Sequence, residues 1–143
     1  SYKLFIEYHH DKILKFYNQW KMQRNRVSIS LEEEEKIFIF LLNNLDKYPI
    51  RQIYVEVDDK LIGFAWGIEH SKINWVGLEL KADYAYKGLS RFLQNERAKM
   101  FSDYEFFSLG TGCYDKGITE YKKELLPNFT KECFYLFTGG KIK

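Results

Sequence analysis

The chain has 143 residues, the length of one domain, and at about that size a fold can bury about 68–70% of its unfolded surface without disulfides or metal. Its 45% hydrophobic and 18% aromatic content, with twelve Phe and eleven Tyr, excludes disorder and points to a dense core or a lined cleft. The formal charge of +2 is too small to argue for nucleic acid by itself, and the basic groups Lys21, Arg24, Arg26 and Lys116, Lys122, Lys123 read as solvated faces.

Cys113 and Cys133 form no CxxC, and no Cys/His pairing stands at zinc spacing. They read as free thiols in a reducing cytosol. His9, His10 and His70 make no metal pattern, so no metal is expected. No apolar run approaches the ~20 residues that span a bilayer, and no signal peptide is visible. The expected location is cytoplasmic. The chain opens Ser1-Tyr2-Lys3 on a strand-like segment and without Met, which fits a piece of a longer protein and equally a processed tag.

In chain order, Lys3 to Tyr8 reads as a short strand. His9 to Asn25 reads as a helix, because Ile13, Tyr17 and Trp20 recur at helical spacing beside Leu14 and Phe16. Ser30 is a suitable N-cap for a second helix, with Glu33 as its capping-box partner. Glu32 to Glu35 then fall in the first turn, where the macrodipole favours anions, and Ile37, Phe38, Leu41, Leu42 and Leu45 continue as an apolar stripe. After Pro49, three strands follow at Gln52–Val57, Leu61–Glu69 and Ile73–Lys81, joined by turns at Asp58-Asp59-Lys60 and His70-Ser71-Lys72. They form an antiparallel meander with Ile53, Val55 and Val57 on one face. Tyr86 to Phe101 is a helix with Leu89, Phe92, Leu93 and Met100 inward. Tyr104–Leu109 is a strand, Gly117–Leu126 a helix stopped by Pro127, and Cys133–Phe137 a last strand. The closing strand–helix–strand implies a right-handed parallel crossover, so the expected sheet is mixed. Where antiparallel neighbours give way to parallel ones, strands can splay and open a crevice.

Four places can carry chemistry. The turn Leu80 to Leu89 leads from the meander into the long helix. A helix N-terminus presents N–H groups and a positive dipole end to an anion, Gly88 permits close backbone approach, and Lys81 and Lys87 add charge. The same segment also reads as an ordinary strand–helix loop. Lys122 shares a stripe with Ile118, Tyr121 and Leu125, so it either snorkels to the rim or meets an anion. The loop Gly110 to Asp115 offers backbone N–H groups and Tyr114, a candidate acid toward a leaving thiol or hydroxyl; Cys113 lacks a histidine in an obvious partner position. Glu79, near the end of the third meander strand, is a better candidate base than Glu56 or Glu69, because it adjoins the phosphate-type loop. A carboxylate there also reads as a solvent-facing residue of a one-sided sheet. Trp66 and Trp75 read as core or cross-strand partners.

Val57-Asp58-Asp59-Lys60-Leu61-Ile62-Gly63-Phe64-Ala65 resembles the hairpin of GNAT acyltransferases. A further set carries a more particular likeness: Lys81-Ala82-Asp83, Tyr86-Lys87-Gly88-Leu89, a helix, a strand with a Gly-rich end, Gly117, Lys122 and Pro127. From about Trp20 to Phe137 the chain is similar to the C-terminal domain family of phosphatidylglycerol lysyltransferases. It differs in having Ser108 where that family often has Asn, Gly112 where it has Asp, and Leu80 where it has an acid. Of the usual coenzyme A loop, Arg/Gln-x-x-Gly-x-Gly/Ala, only Gly88 is kept.

The resemblance implies a GNAT-type fold: a single α/β domain over residues 1–143, with a mostly antiparallel sheet, a parallel crossover and splayed central strands. It would be the C-terminal half of a longer protein, placed at the cytoplasmic face of a membrane by upstream regions. The implied activity is acyl or aminoacyl transfer to an amine or hydroxyl. The donor would be acyl-CoA or aminoacyl-tRNA, with no covalently bound cofactor, and an upstream GNAT half or a lipid headgroup would be a partner. Glu79 would act as base, Tyr114 as acid, and Lys122 would hold an anionic group. Lys81, Ala82, Tyr86, Lys87, Gly88 and Leu89 would hold the donor. A non-catalytic GNAT-like module that binds tRNA, a carrier or a partner domain is the alternative.

Overall fold

A computed structural model describes residues 1–24, 29–110, 116–125 and 127, with backbone alone at 29 and 30. It divides into two compact units, Ser1–Ser108 and Leu109–Lys143. In the first unit the elements run β1 (Tyr2–Phe5), α1 (His10–Gln23), α2 (Ile29–Leu42), β2 (Ile50–Val57), β3 (Lys60–Ser71), β4 (Asn74–Ala82), α3 (Leu89–Met100) and β5 (Phe106–Ser108). The second unit contributes α4 (Lys116–Glu124).

The sheet order is β1-β2-β3-β4-β5. The first three pairings are antiparallel and β4–β5 is parallel. The sheet is thus mixed, as expected, and α3 makes the crossover between its parallel strands β4 and β5. The expected last strand at 133–137 lies outside the described residues. The β2–β3 hairpin turns on Asp58 and Asp59 alone, at φ 51° and 58°, the left-handed pair that matches the twist of flanking strands.

Both faces of the sheet are covered. On one, α1 and α2 deliver Ile13, Phe16, Tyr17, Trp20, Phe38 and Leu42 onto Tyr54, Leu61, Phe64 and Trp66. Phe38 lies between Tyr17 (centroids 3.8 Å apart) and Trp66 (5.6 Å), near-parallel to both, and Trp66 Nε1–H donates to the Tyr54 hydroxyl at 3.0 Å. On the other face, Leu89 and Leu93 of α3 meet Ile53, Val55, Ile62 and Ala65. Trp75 stacks on Phe101 at 4.2 Å and on Phe107 at 3.7 Å, tying the α3–β5 turn to the sheet. Trp66 and Trp75 are thus both core residues, on opposite faces rather than opposite each other.

Two expectations for α2 change. Ser30 lies inside the helix, which already includes Ile29, so it is not the N-cap and Glu33 is not its capping partner. Ile37 is exposed, and Ile39 packs on the core instead, because the helix turns its Phe38–Leu42 edge to the sheet. Since Phe38 is fully buried between two rings, Phe38→Ala should cost about 3–5 kcal/mol of stability. Urea unfolding followed by Trp fluorescence measures this, and a loss below about 1 kcal/mol would contradict the stacked core.

Candidate functional site

The site is set by how β4 leaves the sheet. Its parallel ladder with β5 runs Asn74↔Phe106, Trp75↔Phe107, Val76↔Ser108 and stops. From Gly77 to Ala82, β4 continues with β3 on one side and no strand partner on the other among the described residues. Along this stretch the β3 register also shifts. Ala65 pairs with Leu80 and Gly67 with Gly77, so Leu78 and Glu79 together oppose Trp66. This is a β-bulge, which bends a strand and re-aims its side chains.

Glu79 is one of the side chains so aimed. It is 8% exposed and ion-paired with Lys81 at 3.1 Å. The Lys81 ammonium also meets Glu34 of α2 and sits 4.5 Å above the Trp20 ring of α1. Arg24 reaches the other oxygen of Glu34 at 3.6 Å and covers the same indole. One ammonium between two carboxylates in a poorly solvated place makes a coupled group. Burial pushes the Glu79 carboxyl above the ordinary carboxylate range; the Lys81 charge and hydrogen bond oppose that, and Glu34 adds to it. The Tyr17 hydroxyl is buried nearby without a hydrogen-bond partner among the described residues. Burial first, then Glu34, Glu35 and Glu79, raise its pKa.

The acidic run at Glu32–Glu35 is therefore more than a helix-dipole feature, since Glu34 serves Lys81 and Arg24 while Glu35 pairs with Lys21. Glu79 is not a solvent-facing residue of a one-sided sheet, because α1 and α2 cover that face. Glu56 is buried as well, taking the Tyr8 hydroxyl hydrogen bond, whereas Glu69 is exposed and accepts from Tyr104 at 2.5 Å.

The loop after β4 is internally tied. Asp83 N–H donates to Ile62 O, Tyr84 N–H to Gln23 Oε1, Ala85 N–H to Asp83 Oδ1, Tyr86 N–H to Asp83 O and Leu89 N–H to Tyr86 O. Gln23 Nε2 closes the clamp on Asp83 Oδ1 at 3.1 Å. Lys87 and Gly88 have no such internal acceptor among the described residues. Gly88 sits at φ 79°, a left-handed conformation that glycine adopts without strain, and α3 starts directly after it. Of the loop residues named from sequence, Lys81 turns its charge to Glu34 and Glu79, while Tyr86 and Lys87 are exposed.

In the second unit, Lys122 Nζ donates to the Leu109 carbonyl at 2.6 Å, close to Gly110 at φ 71°. Tyr114, Cys113 and Gly112 lie outside the described residues, as does Cys133. Sequence reasoning missed Arg97, a 3%-exposed guanidinium in α3. Helical spacing from Leu89 and Leu93 places 97 on the inner stripe, and a charged residue there was the available signal.

No family model and no curated protein matches the sequence. Solved structures do match. A protein of unknown function from Bacteroides thetaiotaomicron aligns with TM-score 0.84 and 16% identity, over 90% of this chain and 45% of its own. This chain thus spans less than half of that protein. A GCN5-related N-acetyltransferase from Ralstonia eutropha gives 0.65 at 16% identity, over 95% and 99% of the two chains. An aminoglycoside acetyltransferase from an uncultured soil metagenomic sample gives 0.65 at 12% identity, over 100% and 96%. The chain has the GNAT fold, with five strands in a mixed sheet and four helices among the described residues. No helix among those residues is long and apolar enough to cross a membrane.

The raised Glu79 pKa carries a stability consequence. The folded chain holds that proton more tightly than the unfolded chain, so this contribution is full below the ordinary carboxylate range and is lost as pH rises through the raised value. Glu79→Gln, which mimics the protonated form, should not share that loss. Between about pH 4 and about pH 7 the melting temperature of the variant should gain on the wild type. Parallel melting curves at the two pH values check this, and an unchanged difference would contradict it.

Proposed function

We propose that this chain is an acyltransferase that moves an acyl group from an acyl-CoA thioester to an amine. The observation that carries the reading is the outer edge of β4 from Gly77 to Ala82, without a strand partner among the described residues, beside a buried carboxylate in a chain with the GNAT fold. An edge of unpaired N–H and C=O groups suits an extended, amide-bearing arm such as that of coenzyme A, laid down like an added strand. The N–H groups of Lys87 and Gly88 and the first turn of α3 then receive the donor phosphates, with the exposed Tyr86 beside them, while Lys81, Ala82 and Leu89 face inward and support that wall from behind.

Glu79 is the proposed base. A carboxylate whose pKa burial has raised accepts a proton from an incoming ammonium more readily than an ordinary one. The neutral amine attacks the thioester carbonyl, and N–H donors stabilise the charge that builds on its oxygen. The C–S bond breaks, and Tyr114 is the proposed acid for the departing thiolate. Lys122 is assigned the anionic part of donor or acceptor. The likeness to phosphatidylglycerol lysyltransferases would replace acyl-CoA with aminoacyl-tRNA and the amine with a lipid headgroup hydroxyl.

One observation favours the non-catalytic reading. Five N–H groups of the 83–89 loop are already given to internal acceptors, which leaves fewer for a phosphate. Melting curves with acetyl-CoA, longer acyl-CoAs and aminoacyl-tRNA separate the cases. Saturating acetyl-CoA should raise the melting temperature, as any ligand of the folded state does. Glu79→Gln should then keep that shift while losing about 10²–10⁴-fold in turnover of a polyamine such as an aminoglycoside. Lys122→Ala should weaken both binding and turnover. A shift with aminoacyl-tRNA alone would transfer the assignment to the lysyltransferase branch, and no shift with any donor would leave a binding module.

A further inference from the structure

The face on which Glu79 stands is not set by simple alternation along β4. Side chains alternate with period two along a strand. Trp75 faces α3, where it stacks on Phe101, and Gly77 faces Arg97 of α3. Unbroken alternation would put Glu79 and Lys81 on that same side, among Leu89, Leu93, Ile53 and Val55. Beyond the bulge the order is inverted. Leu80 and Ala82 join the α3 cluster, while Glu79 and Lys81 reach Glu34 and Trp20 on the α1/α2 side. The single extra residue at Leu78–Glu79 therefore decides which face receives the carboxylate.

The same extra residue leaves Trp66 without a one-to-one partner in the β4 register. Arg97 fills that gap. Its Nη1 donates to Trp66 O at 2.8 Å and approaches Glu79 O at 3.5 Å, while Nη2 donates to Gln94 Oε1. The guanidinium fits because residue 77 is glycine. A Cβ there would stand 2.7–2.9 Å from Nη2, Cζ and Nη1. Trp75 and Phe107 flank the guanidinium at 5.8 and 5.6 Å from its Cζ.

We propose that Arg97 and Gly77 together lock the β4 bulge and thereby hold Glu79 on the α1/α2 face, which makes Arg97 a positioning residue for the site. Its consequence for turnover rests on the reading of Glu79 as base; its consequence for the strand does not. A flexible ammonium cannot reproduce the planar fork that holds the two carbonyls through Nη1 and the Gln94 amide oxygen through Nη2, so lysine is not an equivalent replacement.

The test uses Arg97→Ala, Arg97→Lys and Gly77→Ala in the whole chain, read two ways. In wild type, NMR should give contacts between the Lys81 side chain and the Trp20 ring; in all three variants these should weaken or vanish. Turnover of acetyl-CoA with an amine should fall by about tenfold to hundredfold, less than the full effect of removing a base. Methylguanidinium in the buffer should restore part of it in Arg97→Ala and none in Glu79→Gln. Lys81–Trp20 contacts kept intact in the variants would overturn the proposal whatever the activity. Should Arg97→Ala and Gly77→Ala fail to fold, Arg97→Lys decides by the same contacts. Lost contacts together with full turnover by Glu79→Gln would uphold the lock and remove Glu79 as the base.

Discussion

Strand β4 answers two demands that a regular strand cannot meet together. At Trp75 and Gly77 it must be apolar, and at Gly77 small, toward α3, and from Leu80 on it must be apolar toward α3 again with its charges on the other side. An extra residue at Leu78–Glu79 reconciles them, and a buried guanidinium satisfies the Trp66 carbonyl left over. The arrangement of Glu79, Lys81 and Glu34 follows from that irregularity, as does the direction in which β4 runs beyond the end of β5.

Such a feature is stable only inside a well-packed frame. A buried arginine costs several kcal/mol in desolvation unless its donors are met, and here carbonyls and an amide oxygen meet those of Nη1 and Nη2. The frame comes from aromatic packing on both faces. Tyr17, Phe38 and Trp66 stack on one side, and Phe101, Trp75 and Phe107 on the other. These stacked rings, Trp66 and Trp75 among them, thus serve as core material. Arg51 completes the frame at the α3–β5 turn, with hydrogen bonds to Asp103 at 2.9 and 3.2 Å that hold the Asp103 carboxyl below its usual range.

Charge placement shows the same economy. Glu34 and Glu35 were readable as helix-dipole residues, and they act across elements instead, on Lys81, Arg24 and Lys21. Lys81 looked like a phosphate ligand because it precedes a helix. Its ammonium instead turns inward, since parity beyond the bulge points it at α2. Gln23 at the end of α1 ties down Asp83 and Tyr84, so the β4–α3 loop is held from a segment distant in sequence.

What the sequence determined by itself was local and periodic. The stripe Ile13–Tyr17–Trp20, the Asp58-Asp59 turn, the meander and the inner residues Leu89 and Leu93 follow from spacings of two and three to four residues, which backbone geometry enforces. From these the element order was legible, and Glu79 could be singled out near the end of its strand; the GNAT-type architecture was what the resemblance of the hairpin 57–65 and the segments after it implied. The start of α2 was misplaced and Ile37 was turned the wrong way, because a run of apolar residues longer than one stripe does not say which edge packs. The parallel step between β4 and β5, the Glu79–Lys81–Glu34 group and the inward Arg97 were decided by tertiary structure alone. A bulge inverts the alternation on which sequence reading relies, and whether a buried charge is tolerable depends on carbonyls that another strand supplies.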